Sequence, residues 1–235
     1  MKLLRYRLPV SLLFLVLLSA FRTTDVRETR SVGPFSSVEL AGSMKVVVRQ
    51  GAPQKVEVAG DADEVARIET VVANNRLRVG TKRENMSTGY RYKGPITVYV
   101  TLPTINGLAV SGSGNLQAPE ALKADDLSLA VSGSGALTLA RVTASKISSA
   151  VSGSGAIEMT GEAPELSISV SGSGAVKAAD LQAKTCTASV SGSGNCQVNA
   201  SQLLQASIMG SGNVFYTGNA VVKSSNMGSG RVRKL

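Results

Sequence analysis

Val110-Ser111-Gly112-Ser113-Gly114 is written again and again along this chain. The motif returns at Val131–Gly135, Val151–Gly155, Val170–Gly174 and Val190–Gly194. It recurs in altered form as Ile208-Met209-Gly210-Ser211-Gly212 and as Asn226-Met227-Gly228-Ser229-Gly230. Successive copies stand 21, 20, 19, 20, 18 and 18 residues apart. Self-similarity at such a period marks a solenoid, in which one repeat builds one coil.

The residues around each motif alternate with a period of two, the spacing that puts side chains on one face of a strand. Counted from the first residue of the motif, Leu127, Leu129 and Val131 fall at minus four, minus two and zero, as do Leu166, Ile168 and Val170. Beyond the motif, plus six and plus eight are again apolar: Leu116 and Ala118, Leu137 and Leu139, Ile157 and Met159. Each coil is therefore strand, SGSG corner, strand, variable corner. Equivalent strands run in the same direction, so they form parallel ladders, and parallel crossovers are right-handed in nearly all proteins. The fold class expected is all-β, a right-handed parallel β-helix (β-solenoid) of about 20 residues per coil.

Glycine accepts positive φ and close backbone approach. A corner repeated in register needs both at Gly112, Gly114, Gly133, Gly135, Gly153, Gly155, Gly172, Gly174, Gly192 and Gly194. Stacking also aligns Ser113, Ser134, Ser154, Ser173, Ser193, Ser211 and Ser229, which are expected to bond along the axis, with Asn115, Asn195 and Asn213 beside them. Such a hydroxyl array could also order water or meet a glycan. A phosphate cradle would need a lysine or a helix N-terminus beside the glycines, and a calcium roll would need aspartates in the turns; neither is present.

The chain opens on Lys2, Arg5 and Arg7, an apolar run from Leu8 to Leu18 and the small pair Ser19-Ala20, the pattern of a signal peptide over residues 1–20. That run is shorter than the ~20 residues of a membrane-spanning helix. No transmembrane segment is expected after leader removal, and the protein is expected to be exported to the periplasm, the outer-membrane surface or the extracellular space. Residues 21–31 are polar and read as a flexible lead-in. Residues 32–106 read as a β-rich N-terminal cap with the first coils, and residues 107–235 as the repeat solenoid. Within the cap, Asp61 or Asp63 begins one short helix through Val65, Ile68, Val71 and Val72, stopped by Asn74-Asn75.

Composition narrows the function. The 235 residues carry a net charge of +9, and loss of the leader's three cations leaves about +6. The excess is uneven: residues 182–235 hold five Lys or Arg and no acid. No nucleic acid partner is expected from so modest a surplus. The chain has no His, which removes the commonest general base and the Ser-His and Cys-His nucleophile pairs. Asp125-Asp126 is an adjacent pair at a corner and points opposite ways. No Phe, Tyr or Trp lies between residues 100 and 214, so the long faces lack stacking platforms for sugar. Tyr90, Arg91, Tyr92 and Lys93 form the candidate contact loop. Cys186 and Cys196, at minus four and plus six of one coil, both point inward; export permits a disulfide across that coil, the reading preferred over two buried thiols. No catalytic residue, metal site or cofactor is expected.

The opening Phe35-Ser36-Ser37-Val38-Glu39-Leu40, the Val56–Gly60 strand with its acidic helix start, the Ile96–Pro103 strand and the repeated VSGSG together resemble the putative auto-transporter adhesin, head GIN domain family. The resemblance covers about residues 32–230. It implies a β-helical envelope protein of Bacteroidetes-type bacteria with a role in adhesion, and carries over no catalytic or ligand residue. Leader, cap and coils fill this sequence, so no membrane-translocating barrel is expected in it. The function expected is an exported, non-enzymatic β-solenoid acting as an adhesin or envelope interaction protein, with an envelope protein or polysaccharide as partner. Two alternatives stand beside it: a carbohydrate-active β-helix enzyme, which needs Asp125, Asp126, Glu158 or Asp180 to converge on a groove, and a purely structural envelope protein.

Overall fold

Seven copies of one corner stack in the computed structural model, which describes residues 25–82 and 92–235. The expected signal peptide of residues 1–20 and residues 21–24 of the expected lead-in lie outside the described residues. The described residues are 75% strand and 2% helix and wind into a β-solenoid of about 6 turns with roughly 20 residues per turn. The repeat strands are β8 (Gly107–Gly112), β9 (Asn115–Gly133), β10 (Ala136–Gly153), β11 (Ala156–Glu162), β12 (Glu165–Gly172), β13 (Ala175–Gly192), β14 (Asn195–Gly210), β15 (Asn213–Thr217), β16 (Val221–Gly228) and β17 (Arg231–Lys234). Every pairing among them is parallel, and the first motif residue stacks from Val110 through Val131, Val151, Val170, Val190 and Ile208 to Asn226.

The interior consists of the columns predicted by the alternation. Leu127, Leu129, Leu137, Leu139, Leu166, Ile168 and Val176 are all at most 2% exposed. Burial of each such aliphatic side chain is worth about 1.5–3 kcal/mol, so stacked Val, Leu and Ile suffice where aromatics are scarce.

At the corner, the two glycines serve different needs. The first of each pair takes positive φ, for example 110° at Gly172, and a Cβ there would lie 2.6 Å from the Gly153 carbonyl oxygen of the coil below. The second is held by space: a Cβ at Gly174 would meet Val151 Cγ1 at 2.5 Å and the Gly155 oxygen at 2.7 Å. That closeness lets one carbonyl accept two N–H groups. Gly112 O accepts from Ser134 N at 3.0 Å and from Gly135 N at 2.9 Å, and Gly172 O accepts likewise from Ser193 and Gly194. The expected serine ladder is reduced to one rung, Ser229 Oγ to Ser211 Oγ at 3.1 Å, with Asn213 Nδ2 donating to Asn195 Oδ1 at 3.2 Å beside it. Backbone, not hydroxyl, bonds stitch the corners together.

The N-terminal part is not wound in chain order. Its elements are β1 (Asp25–Arg30), β2 (Ser37–Gly42), β3 (Lys45–Gln50), β4 (Lys55–Asp61), α1 (Ala62–Val65), β5 (Ile68–Ala73), β6 (Arg76–Thr81) and β7 (Thr97–Leu102). β2 is sandwiched between β6 and β8, and β3 between β7 and β9, all in parallel. The first coil is thus internal; the chain folds back outside it through β4–β7 before the repeats grow from its other side. Beyond that, β1, β4 and β5 pair antiparallel and close the end.

Two expectations are corrected here. Residues 25–30 are a strand, not a flexible lead-in: β1 pairs with β4 from Asp25↔Asp61 to Arg30↔Val56, Arg27 bonds Glu57 at 3.1 Å, and its guanidinium lies 4.3 Å from the Tyr99 ring centroid. The helix is a single turn. Asp61 caps it by accepting from Asp63 N at 3.0 Å, but Ile68–Ala73 goes extended and pairs antiparallel with β6. Asn74 and Asn75, with φ of 50° and 60°, are the hairpin turn, where positive φ at both positions matches strand twist. The β-branched residues Ile68, Thr70, Val71 and Val72 favour that outcome over a longer helix.

Candidate functional site

The coils differ in length at the bend before each strand, so columns there emerge only when residues are counted back from the following motif. Ala124, Ala144, Ala163 and Ala183 each stand 7 residues before the next Val, and Ala200 stands 8 before Ile208. Ala124 pairs in register with Ala144, and Ala183 with Ala200. All but Ala124 are at most 5% exposed. A methyl is the only inward side chain this column carries, so the backbone dips toward the axis and becomes the floor of a groove.

The residues flanking each Ala point outward and form its two sides. One side is the register column Lys123, Thr143, Glu162, Gln182 and Asn199. The other is Asp125, Ser145, Pro164, Lys184 and Ser201, and Gln50, Thr104 and Asn106 complete the N-terminal end. The groove holds about 1000 Å³. It crosses six coil levels, ~24 Å at the ~4.8 Å spacing of strands. At its N-terminal end, Gln50 imitates a strand: Lys123 N donates to its Oε1 at 2.7 Å, and its Nε2 donates to Lys123 O at 2.9 Å.

The charges on the groove are balanced, Lys123 and Lys184 against Asp125 and Glu162. Among the described residues, no hydrogen bond or ion pair engages the side chains of Asp125, Thr143, Ser145, Glu162, Gln182 or Lys184. Elsewhere on this surface side chains are engaged: Ser201 Oγ donates to Ala183 O at 3.2 Å, Asn106 Nδ2 donates to Ser36 Oγ at 3.3 Å, and the Gln50 amide is held by Lys123. The groove therefore offers hydroxyl, amide and charged groups with free hydrogen-bonding capacity, paired across it at some coils and broken at the Glu162 coil, where the opposite side is Pro164. A smaller hollow of about 550 Å³ adjoins it beside Asp126 and Lys146. There Glu165 bonds Lys146 at 2.7 Å and holds its ammonium above the ordinary lysine range.

The carboxylates named from the sequence do not converge. Asp125 lies in the groove and Asp126 in the hollow, whereas Glu158 faces Lys177 at 3.9 Å and Asp180 lines neither. No group of three or more Cys, Asp or Glu placed to hold a metal occurs among the described residues. Of the candidate contact loop, Tyr90 and Arg91 lie outside the described residues. Tyr92 packs against the core and its hydroxyl bonds Thr81 Oγ1, while Lys93 N donates to Glu64 Oε1 at 3.2 Å. Both described members of that loop are thus tied into the cap. Cys186 and Cys196 are two free thiols and not the preferred disulfide. They stack in aliphatic columns, Cys186 between Leu166 and Leu204 and Cys196 between Val176 and Val214. Burial pushes both thiols up to about 12, the charge of Cys186 adding to the effect on Cys196. Neither is a nucleophile at neutral pH.

Comparison with known proteins agrees with this architecture. Residues 34–220 match the family described as putative auto-transporter adhesin, head GIN domain. The chain belongs to that family. The matched span takes in β2 through β15 and with them the whole groove. A putative adhesin from Bacteroides fragilis superposes with a TM-score of 0.82 at 22% identity, over 90% of this chain and 97% of that one. Two proteins from Parabacteroides distasonis also superpose, a putative adhesin (TM-score 0.74, 24% identity, 91% and 98% covered) and a putative lipid binding protein (TM-score 0.74, 23% identity, 90% and 96% covered). At these identities the likeness is one of fold. No curated protein matches the sequence. Among the described residues, no helix is long and apolar enough to cross a membrane.

Proposed function

We propose that this head GIN domain protein is an exported, non-enzymatic adhesin of the cell envelope that holds an extended partner in its axial groove. The observation that carries the reading is the groove itself: ~24 Å long, with polar side chains at every coil and most of those in its middle coils free to bond a ligand, a surface built for a polymer and not for a compact molecule. Export is supported by the leader pattern of residues 1–20, and the adhesin role by the family.

One feature favours a second reading. Asp125 and Glu162 face the groove from opposite sides, as a glycosidase pair would. They belong to coils two levels apart, however, an axial offset of ~10 Å, beyond the ~5–9.5 Å that separates such carboxyls in hydrolases, and nothing orients either of them. The lipid binding in one neighbour's name finds little support in the groove, whose sides are hydroxyl, amide and charge. Cell fractionation with protease treatment of intact cells tests the proposal: the protein is expected in the envelope fraction and to be cleaved from outside. A cytoplasmic protein, or release of reducing ends from envelope polysaccharide that Asp125→Asn abolishes, would overturn it.

A further inference from the structure

We infer that the groove takes an uncharged, extended β-linked glycan lying along the solenoid axis, an inference that rests on the groove being the binding site. The first argument is one of repeat. Polar side chains recur on the groove at every coil, at a spacing of ~4.8 Å, about the advance of one sugar unit in an extended β-linked chain, and Pro164 is the one apolar member of its two sides. Thr143 with Ser145 and Gln182 with Lys184, two levels apart, would then meet alternate units in an equivalent way, with Glu162 facing the unit between them. An extended peptide advances ~3.3 Å per residue and ~6.6 Å between side chains of one face, so its side chains fall out of step with the coils within two levels.

The second argument is chemical. A peptide gains most by adding a strand to a free edge, and the groove has none: its strands pair with coils above and below, and at Lys123 the Gln50 amide occupies the backbone groups. An anionic polymer needs net positive charge along its track. Here Lys123 is opposed by Asp125 on its own coil, and Glu162 sits one level from Lys184. What remains is hydroxyl and amide capacity matched to sugar hydroxyls, over a backbone floor that admits a ring where an aromatic platform would fill the groove.

The test is calorimetric titration of the mature protein with β-1,4-linked glucose and N-acetylglucosamine oligomers of two to six units, with oligogalacturonate and an extended polar peptide as comparators. Affinity should rise with length and level off at about five units. Thr143→Arg and Ser145→Arg, both on exposed positions, should each weaken it at least about tenfold with an unchanged melting temperature. Absence of binding to every neutral oligomer at millimolar concentration, binding indifferent to both substitutions, or a preference for the uronate or the peptide would overturn the inference. If the oligomers fail while cosedimentation with cell envelopes still depends on Thr143 and Ser145, the groove stands and only the partner class falls. If cosedimentation is lost as a property of the wild type, the proposed function falls with it.

Discussion

Single residues decide whether coils can close on one another, and Gly172 is the clearest case. Its φ of 110° and the 2.6 Å approach to Gly153 O leave no place for a side chain. Gly172→Ala should destabilise by about 1–3 kcal/mol from backbone strain alone, a fall of several degrees in Tm. Gly33→Ala, where a Cβ meets nothing within 4 Å, is the control and should leave Tm unchanged. Ser149 is the opposite kind of residue. It occupies a core column between Leu129 and Ile168, is 4% exposed, and its hydroxyl has no partner. Ser149→Ala should therefore stabilise, by about 1 kcal/mol, by removing an unpaid desolvation. The thiols make a pH prediction. Their pKa values are raised to about 12, above the ~8.5 of a free thiol, so the fold favours the neutral form. The stability they contribute is complete below about pH 8.5 and is lost as pH rises toward 12. Iodoacetamide at pH 8 should label neither cysteine in the native protein and both after unfolding.

At the scale of elements, the two ends of the solenoid are closed by different means. The N-terminal end is covered by α1 and antiparallel strands, with Val65 and Ile68 buried beneath them and Arg30 Nη2 bonding Val65 O at 2.7 Å. The C-terminal end is closed by composition. In β16 the core columns change character: Ala206 gives way to Ser224 and Ile208 to Asn226, whose amide donates to Gly230 O across its own corner. Polar residues at core positions let the last coil meet water, and Lys223, Arg231, Arg233 and Lys234 guard its free edge, as terminal repeats and edge strands require. This accounts for the decay of VSGSG to NMGSG. Asn226→Val should extend the apolar column to an open face and drive concentration-dependent association, measurable by light scattering; a variant that stays monomeric would show that the charged edge alone suffices.

For the molecule as a whole, the repeat was legible because each coil must place glycine at the same two crowded points, and sequence records that need directly. The groove was not, because coil length varies just before it: a count forward from Val170 or Val190 reaches Ala183 and Ala200 at different offsets, while a count back from the next motif aligns them. β5 is ambiguous for a related reason: Ile68, Val71 and Val72 continue a helical spacing from Val65, yet all three pair with β6, with Ile68 and Val72 on its inner face and Val71 exposed. The order of the first coils, with β2 between β6 and β8, left no local mark at all. Adhesion through the groove is the claim that joins these scales. It is tested most directly by cosedimentation of the purified mature protein with isolated cell envelopes, wild type against Thr143→Arg/Ser145→Arg at matched Tm. The wild type should pellet and the double variant remain in the supernatant; equal pelleting of the two would contradict the account.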